Sequence, residues 1–155
     1  MARYAFLTTW LLDAPREPVW DVLEDTSRWP EWWRGVERVE HRGGSIGAGS
    51  RHLVEWRSRV PYSVEFEFEV ERVDRPVSME GRAHGDLTGA GRWRLFEDAG
   101  VTAVLYEWNV ETTQRWMNVV APLARPIFEW NHDLVMRWGG QGLARRLGVR
   151  LLAAG

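Results

Sequence analysis

The clearest signal along the chain is a period of two. From Tyr62 to Val73 the residues alternate, with Val64, Phe66, Phe68 and Val70 on one side and Glu65, Glu67, Glu69 and Glu71 on the other. A strand of this kind needs one covered face and one wet face, which marks an antiparallel sheet. The same period predicts strands over Arg3–Leu12, Val36–His41, Arg51–Ser58, Val77–His84, Gly91–Phe96 and Val101–Thr112, divided by turn signals such as GGSIGAGS and EDAG. Taking the even-numbered members of Arg51–Ser58 and Val101–Thr112 as inward buries Val54, Trp56, Val104, Tyr106 and Trp108 and exposes Glu55, Arg57, Glu107 and Glu111. In the first strand Phe6, Thr8, Trp10 and Leu12 share one face, but both faces are largely apolar, so it is covered on both sides near one end. Pro18 followed by VWDVLED predicts a short helix with Val19, Trp20 and Leu23 on one side. A second short helix or turn carries Trp29, Trp32 and Trp33 around Pro30.

Between Gln114 and Gly148 the period becomes helical. At 100° per residue, Val120, Leu123, Ala124, Ile127, Trp130, Leu134, Val135 and Trp138 fall on one arc, which predicts a long C-terminal helix with that arc toward the core. Pro122 and Pro126 place the start of its continuous part near Pro126, after a looser turn carrying Trp116 and Met117, and Gly148 suits the C-cap. From Pro126 to Leu147 such a helix spans roughly 33 Å, about the diameter of a small domain. Asn131 interrupts the arc, and an unpaired buried amide costs about 1 to 3 kcal/mol, so either the core satisfies it or it faces a cavity. The order of elements is strand, two short helices, six strands and a helix. That order gives an α+β chain of about seven antiparallel strands covered by the last helix, read as one domain over residues 1–155.

The chain has 155 residues, 45% of them hydrophobic and 27% charged, and this balance suits a folded core with room for a pocket. Eleven tryptophans are a surplus that fits a cavity for aromatic ligands, although large core residues account for most of them equally well. All twenty basic residues are arginine, so Schiff-base lysine chemistry is excluded. The net charge is −2 with acids and arginines interleaved, which argues against nucleic-acid binding. With no cysteine there is no disulfide, thiol catalysis or thiolate metal site. No run reaches transmembrane length and the N-terminal stretch lacks a signal-peptide pattern, so a cytoplasmic location is expected.

Three stretches carry a resemblance to a known superfamily: DAPREPVWDVLEDTSRWPEWWRGV (Asp13 to Val36), GAGRWRLF (Gly89 to Phe96) and the closing PLARPIFEWNHDLVMRWGGQGLARRL. Together with the element order, they resemble the START-like, or SRPBCC, superfamily, and the first stretch is similar to the opening of its bacterial polyketide cyclase-like members. The resemblance implies a helix-grip (Bet v 1-like) fold, a curved antiparallel sheet wrapped around the C-terminal helix, with a hydrophobic small molecule bound in a deep pocket between them. The superfamily shares no single catalytic motif, so no catalytic residue follows from it.

Strand parity then nominates the pocket. Tyr106 and Asn131 are the candidate catalytic pair, able to orient a ligand carbonyl or hydroxyl, with bonding to each other or to a buried water as the alternative. The expected ligand-binding set is Thr8, Trp10, His52, Trp56, Phe66, Trp93, Tyr106, Trp108, Ile127, Asn131 and Val135. His132 flanks the arc and serves the rim or bonds a loop carbonyl. Glu129 and His132 form one Glu-x-x-His, but a di-iron centre needs two on a helical bundle. The histidines at 41, 52, 84 and 132 show no paired ligand spacing, and parity sends His84 outward while Gly81 and Ala83 point in. The glycine stretches Gly43–Gly49 and Gly85–Gly91 lead into strands and lack the helix N-terminus of a nucleotide loop. No cofactor or metal is expected. The partner is a hydrophobic small molecule, the protein is either a polyketide cyclase/dehydratase or a non-catalytic carrier, and it is a monomer or a homodimer.

Overall fold

The structure is a computed structural model that describes residues 2–44 and 47–155. Ser45 and Ile46 of the first glycine stretch lie outside the described residues. Among the described residues eight antiparallel strands form one curved sheet in the order β2-β3-β4-β5-β6-β7-β1-β8. They are β1 (Arg3–Leu12), β2 (Val36–Gly43), β3 (Arg51–Arg57), β4 (Ser63–Asp74), β5 (Ser78–Gly85), β6 (Leu87–Asp98), β7 (Val101–Thr112) and β8 (Leu151–Ala154). Two short helices, α1 (Arg16–Glu24) and α2 (Trp29–Trp32), follow β1, and the long helix α3 (Arg115–Leu147) follows β7. This is the helix-grip fold.

The expected parity holds because every inward position of β7 from Thr102 to Thr112 is buried, and β1 pairs with it antiparallel from Arg3↔Glu111 to Leu12↔Thr102. On β4 the apolar members turn in until a register shift between Val70 and Arg72 moves the alternation. Two differences concern strands. β6 begins at Leu87 instead of Gly91, its added residues pairing Leu87↔Thr112 and Gly89↔Val110, and β8 adds an eighth strand along β1 after the helix caps at Gly148.

The larger correction concerns α3. It starts at Arg115, eleven residues before Pro126, and keeps both prolines inside; each removes an N–H, and both prolines are exposed. Its buried side carries Met117, Ala121, Phe128, Val135, Gly139 and Leu143. The arc read as core-facing lies mostly in solvent. Leu123 is 90% exposed, Val120, Ile127 and Trp130 are exposed, Ala124 and Leu134 are half-buried, and only Val135 and Trp138 at its C-terminal end are covered.

What α3 packs against is a tryptophan cluster. Trp10, Trp29, Trp32, Trp33, Trp56 and Trp93 touch ring to ring, with centroids 5.0 to 6.4 Å apart. Trp10 Nε1 donates to the Met136 carbonyl at 3.0 Å and Trp33 Nε1 to that of Val135 at 2.9 Å, which ties helix to sheet. The helix comes this close because it is bare there: a Cβ on Gly139 would stand 2.5 Å from the Trp33 ring, and one on Gly142 would stand 1.8 Å from the Trp32 carbonyl oxygen. The C-terminal half of α3 is thus clamped, and its N-terminal half stands over an open space.

Candidate functional site

That space is a cavity of about 750 Å³, its open mouth included. Tyr4 and Phe6 enter it from β1, and Tyr106, Trp108, Val110 and Thr112 from β7. Trp56, Val64 and Phe66 close the far side, with Tyr62 and Leu87 at the strand ends. From α3 come Met117, Phe128, Asn131, His132 and Val135. The walls are interlocked rings: Phe66 packs on Trp108 at 5.3 Å, Tyr106 stacks on Trp108 at 5.8 Å, and Tyr62 meets Phe128 edge-on at 5.8 Å. Gly91 makes room for Trp108, since a Cβ there would lie 2.7 Å from its ring.

The polar atoms of this wall are few and poorly paired. Asn131 Nδ2 donates to the Tyr62 hydroxyl at a long 3.5 Å, while Asn131 Oδ1 has no partner. His132 stacks on Phe6 with ring centroids 3.7 Å apart, and neither of its nitrogens is hydrogen-bonded; the Asp133 carboxylate is 3.6 Å away. The Tyr4 hydroxyl and Trp56 Nε1 are buried without partners as well. Eight buried side-chain polar atoms are unpartnered among the described residues, and five of them belong to residues lining this cavity. Each such atom costs about 1 to 3 kcal/mol, so their gathering in one place calls for an explanation.

Burial also moves their protonation. It pushes the His132 imidazole down to about 4 against the opposing pull of Asp133, and pushes the Tyr62 phenol up to about 12 against its bond from Asn131. The Tyr106 phenol is raised further by complete burial. At neutral pH all three are uncharged, so the cavity presents hydrogen-bond donors and acceptors without formal charge.

Residues 6–154 match the family model described as polyketide cyclase / dehydrase and lipid transport. The chain belongs to this family. Among solved structures, the Zhui aromatase/cyclase from Streptomyces sp. R1128 superposes with a TM-score of 0.78 at 16% identity, covering 95% of this chain and 94% of that one. The di-domain aromatase/cyclase BexL of the BE-7585A biosynthetic pathway gives 0.75 at 19% identity, over 96% of this chain and 51% of BexL. A START superfamily protein from Mycobacterium smegmatis gives 0.73 at 11% identity, over 93% and 97%. At these identities the likeness is one of fold, shared with a START superfamily protein, and the family match over residues 6–154 is what places the chain among the polyketide cyclase-like proteins. No curated protein sequence matches this chain. Among the described residues no helix is long and apolar enough to cross a membrane.

Within this polyketide cyclase-family cavity stand six of the residues nominated from sequence: Trp56, Phe66, Tyr106, Trp108, Asn131 and Val135. Tyr106 and Asn131 share the wall but make no hydrogen bond to each other, and Asn131 turns to Tyr62 instead. His52 and Trp93 line a smaller neighbouring space that also touches Trp56, Phe66 and Tyr106. There His52 bridges Ser50 Oγ at 3.1 Å and Thr26 Oγ1 at 3.4 Å, and β4 lies between its strand and that of His84. Three nominated residues stand elsewhere. Thr8 is buried in β1 but lines neither space, Trp10 is consumed by the tryptophan cluster and Met136, and Ile127 faces solvent because the apolar arc of α3 does. Among the unnominated lining residues, Phe6 was signalled by its shared parity with Thr8, and Tyr4 continues the same alternation. Phe128 and Met117 were hidden by the choice of arc, and Tyr62, just before β4, shares the inward parity of Val64 and Phe66 but was not nominated.

Proposed function

We propose that the cavity binds an aromatic or polyketide-like small molecule bearing hydroxyl and carbonyl oxygens. The observation that carries this reading is the gathering of unpartnered polar atoms, from Tyr4, Trp56, Asn131 and His132, in a wall otherwise made of rings and aliphatic side chains. Ring faces stack on a flat apolar ligand. Asn131 Oδ1 and a His132 nitrogen are placed to accept from its hydroxyls, and Trp56 Nε1 and the Tyr4 hydroxyl to donate to its carbonyls. A polyketide cyclase/dehydratase activity would then work by folding a flexible poly-keto chain against these walls, with Tyr106 and Asn131 polarising an oxygen. Membership of the family and the fold shared with aromatase/cyclases support this reading.

A second reading, a non-catalytic carrier, is favoured by one observation. Acid–base catalysts work best with a pKa near the operating pH, whereas His132 sits near 4, Tyr62 near 12 and Tyr106 is raised. Native mass spectrometry of the purified protein, followed by denaturing extraction, tests both readings. A retained aromatic compound returned unchanged after incubation supports the carrier. Conversion during incubation, lost in Tyr106→Phe or Asn131→Ala, supports the enzyme. Binding of linear alkyl lipids with no aromatic compound retained, and no shift in thermal stability with hydroxylated aromatic ketones, refutes the aromatic assignment.

A further inference from the structure

The N-terminal half of α3 carries a second apolar face that nothing among the described residues covers, apart from Trp116, whose ring meets Tyr62 edge-on at 5.3 Å. Trp116, Val120, Leu123, Ile127 and Trp130 follow each other at alternating steps of four and three, and Val119 joins them. That spacing is the seam of paired helices. Leu123 is 90% exposed, Val119 73%, Ile127 54% and Trp130 51%. The neighbouring charges are drawn off this face. Arg125 donates to the Arg3 carbonyl at 2.8 Å, lies 4.4 Å over the Tyr4 ring and pairs with Glu129.

We infer that this stripe is the interface with a second copy of the chain, α3 packing on α3. The exposed fractions amount to roughly 700 Å² of apolar surface on each copy, more than a lone soluble monomer ordinarily shows, and about 1,400 Å² for a pair, the size of a stable specific interface. A two-fold pair needs one self-complementary patch, and an uncharged stripe of ridges and gaps on one straight element meets that requirement. A lipid surface fits less well. Interfacial helices flank their apolar side with cations, whereas the charges beside this stripe are two acids, Glu129 and Asp133, against two arginines, Arg115 and Arg137, in a chain of net charge −2. The interface stands on the outer face of the helix whose inner face lines the cavity, and it does not depend on what the cavity holds.

Sedimentation equilibrium of the full chain from roughly 1 to 200 µM reads the outcome. The 18.0 kDa chain is expected to reach twice its mass within this range. Leu123→Arg and Val119→Arg are expected to remain at monomer mass with unchanged circular dichroism and melting, since both side chains are in solvent in the single copy. Either variant alone, if folded, decides the matter. A wild-type protein that stays monomeric at the highest concentration overturns the inference, as does a dimer that survives Leu123→Arg. A monomer that floats with vesicles of phosphatidylcholine and phosphatidylglycerol, and loses this in Leu123→Arg, overturns it in favour of a membrane surface.

Discussion

Replacing His132 by Phe isolates the cost the cavity wall carries. The ring at 132 keeps its stack on Phe6, and two buried nitrogens without partners are removed. At pH 7 the variant is expected to be more stable than wild type by about 1 kcal/mol or more, the penalty of an unpaired buried polar group. A larger effect appears in acid. The unfolded histidine takes up its proton near pH 6.5, but the folded one does so only near 4, because burial disfavours the imidazolium. Between these values the unfolded state binds more protons, so wild-type stability is lost as the pH falls from about 6.5 to about 4 and then levels off. At 1.36 kcal/mol per unit, that loss is about 2 kcal/mol by pH 5 and about 3 kcal/mol in full. Phenylalanine does not titrate, and the contributions of groups other than the adjacent Asp133 cancel in the difference between the two proteins.

The assay is urea unfolding of both proteins at pH 7 and pH 5, after any small molecule has been stripped in denaturant and the chain refolded. The stability difference in favour of the variant is expected to widen by about 2 kcal/mol at the lower pH. The opposing pull of the Asp133 carboxylate, 3.6 Å from His132 Nδ1, is already contained in the value near 4 on which this figure rests. If the difference is independent of pH, or if wild type is the more stable protein at pH 5, His132 is not the unpartnered buried base described above.

Other substitutions test separate parts of the molecule. Gly142→Ala puts a Cβ where the Trp32 carbonyl oxygen stands and is expected to cost 2 kcal/mol or more by thermal melting, despite the roughly 1 kcal/mol that alanine gains in a helix. Thr102→Val breaks the fully buried bond from Thr102 Oγ1 to the Ala14 carbonyl, 2.7 Å, and is expected to cost about 1 to 3 kcal/mol in urea unfolding. Trp108→Ala is expected to weaken binding of a hydroxylated aromatic probe, read by calorimetry, at least tenfold, while Glu67→Ala on the opposite face of the sheet leaves it within twofold. Loss of binding in a folded Glu67→Ala protein would contradict the assignment of the sheet's inner face.

The sheet was legible because its inward positions are large and apolar and its outward ones charged, so that β4 and β7 could be placed by parity alone. β8 was not, since four residues after a helix cap form no alternation and gain their place only by pairing with the free edge of β1. The site was half legible for the same reason: parity reaches Trp56, Phe66, Tyr106 and Trp108, but it says nothing of how far along a strand the cavity extends. Trp10 and Trp108 share an inward face, and only the packing of α3 decides that one is core and the other wall.

Helix α3 shows why periodicity alone chose the wrong side. It has two apolar arcs, and the one with the larger side chains, Leu123, Ile127 and Trp130, is the one left in water. The covered arc alternates bulky and small residues, Phe128, Val135 and Leu143 with Ala121, Gly139 and Gly142, and so scores lower on any hydrophobicity count. Yet glycine inside a helix costs about 1 kcal/mol apiece, and three between Gly139 and Gly142 are hard to sustain unless something bulky presses against them. Eight of the eleven tryptophans lie outside α3 and were the candidates for that something. The glycines marked the face that meets Trp10, Trp32 and Trp33, and fixing that end of α3 turns Phe128, Asn131 and His132 into the cavity. It also leaves Leu123 and Ile127 exposed, which is the reason a second chain is sought there.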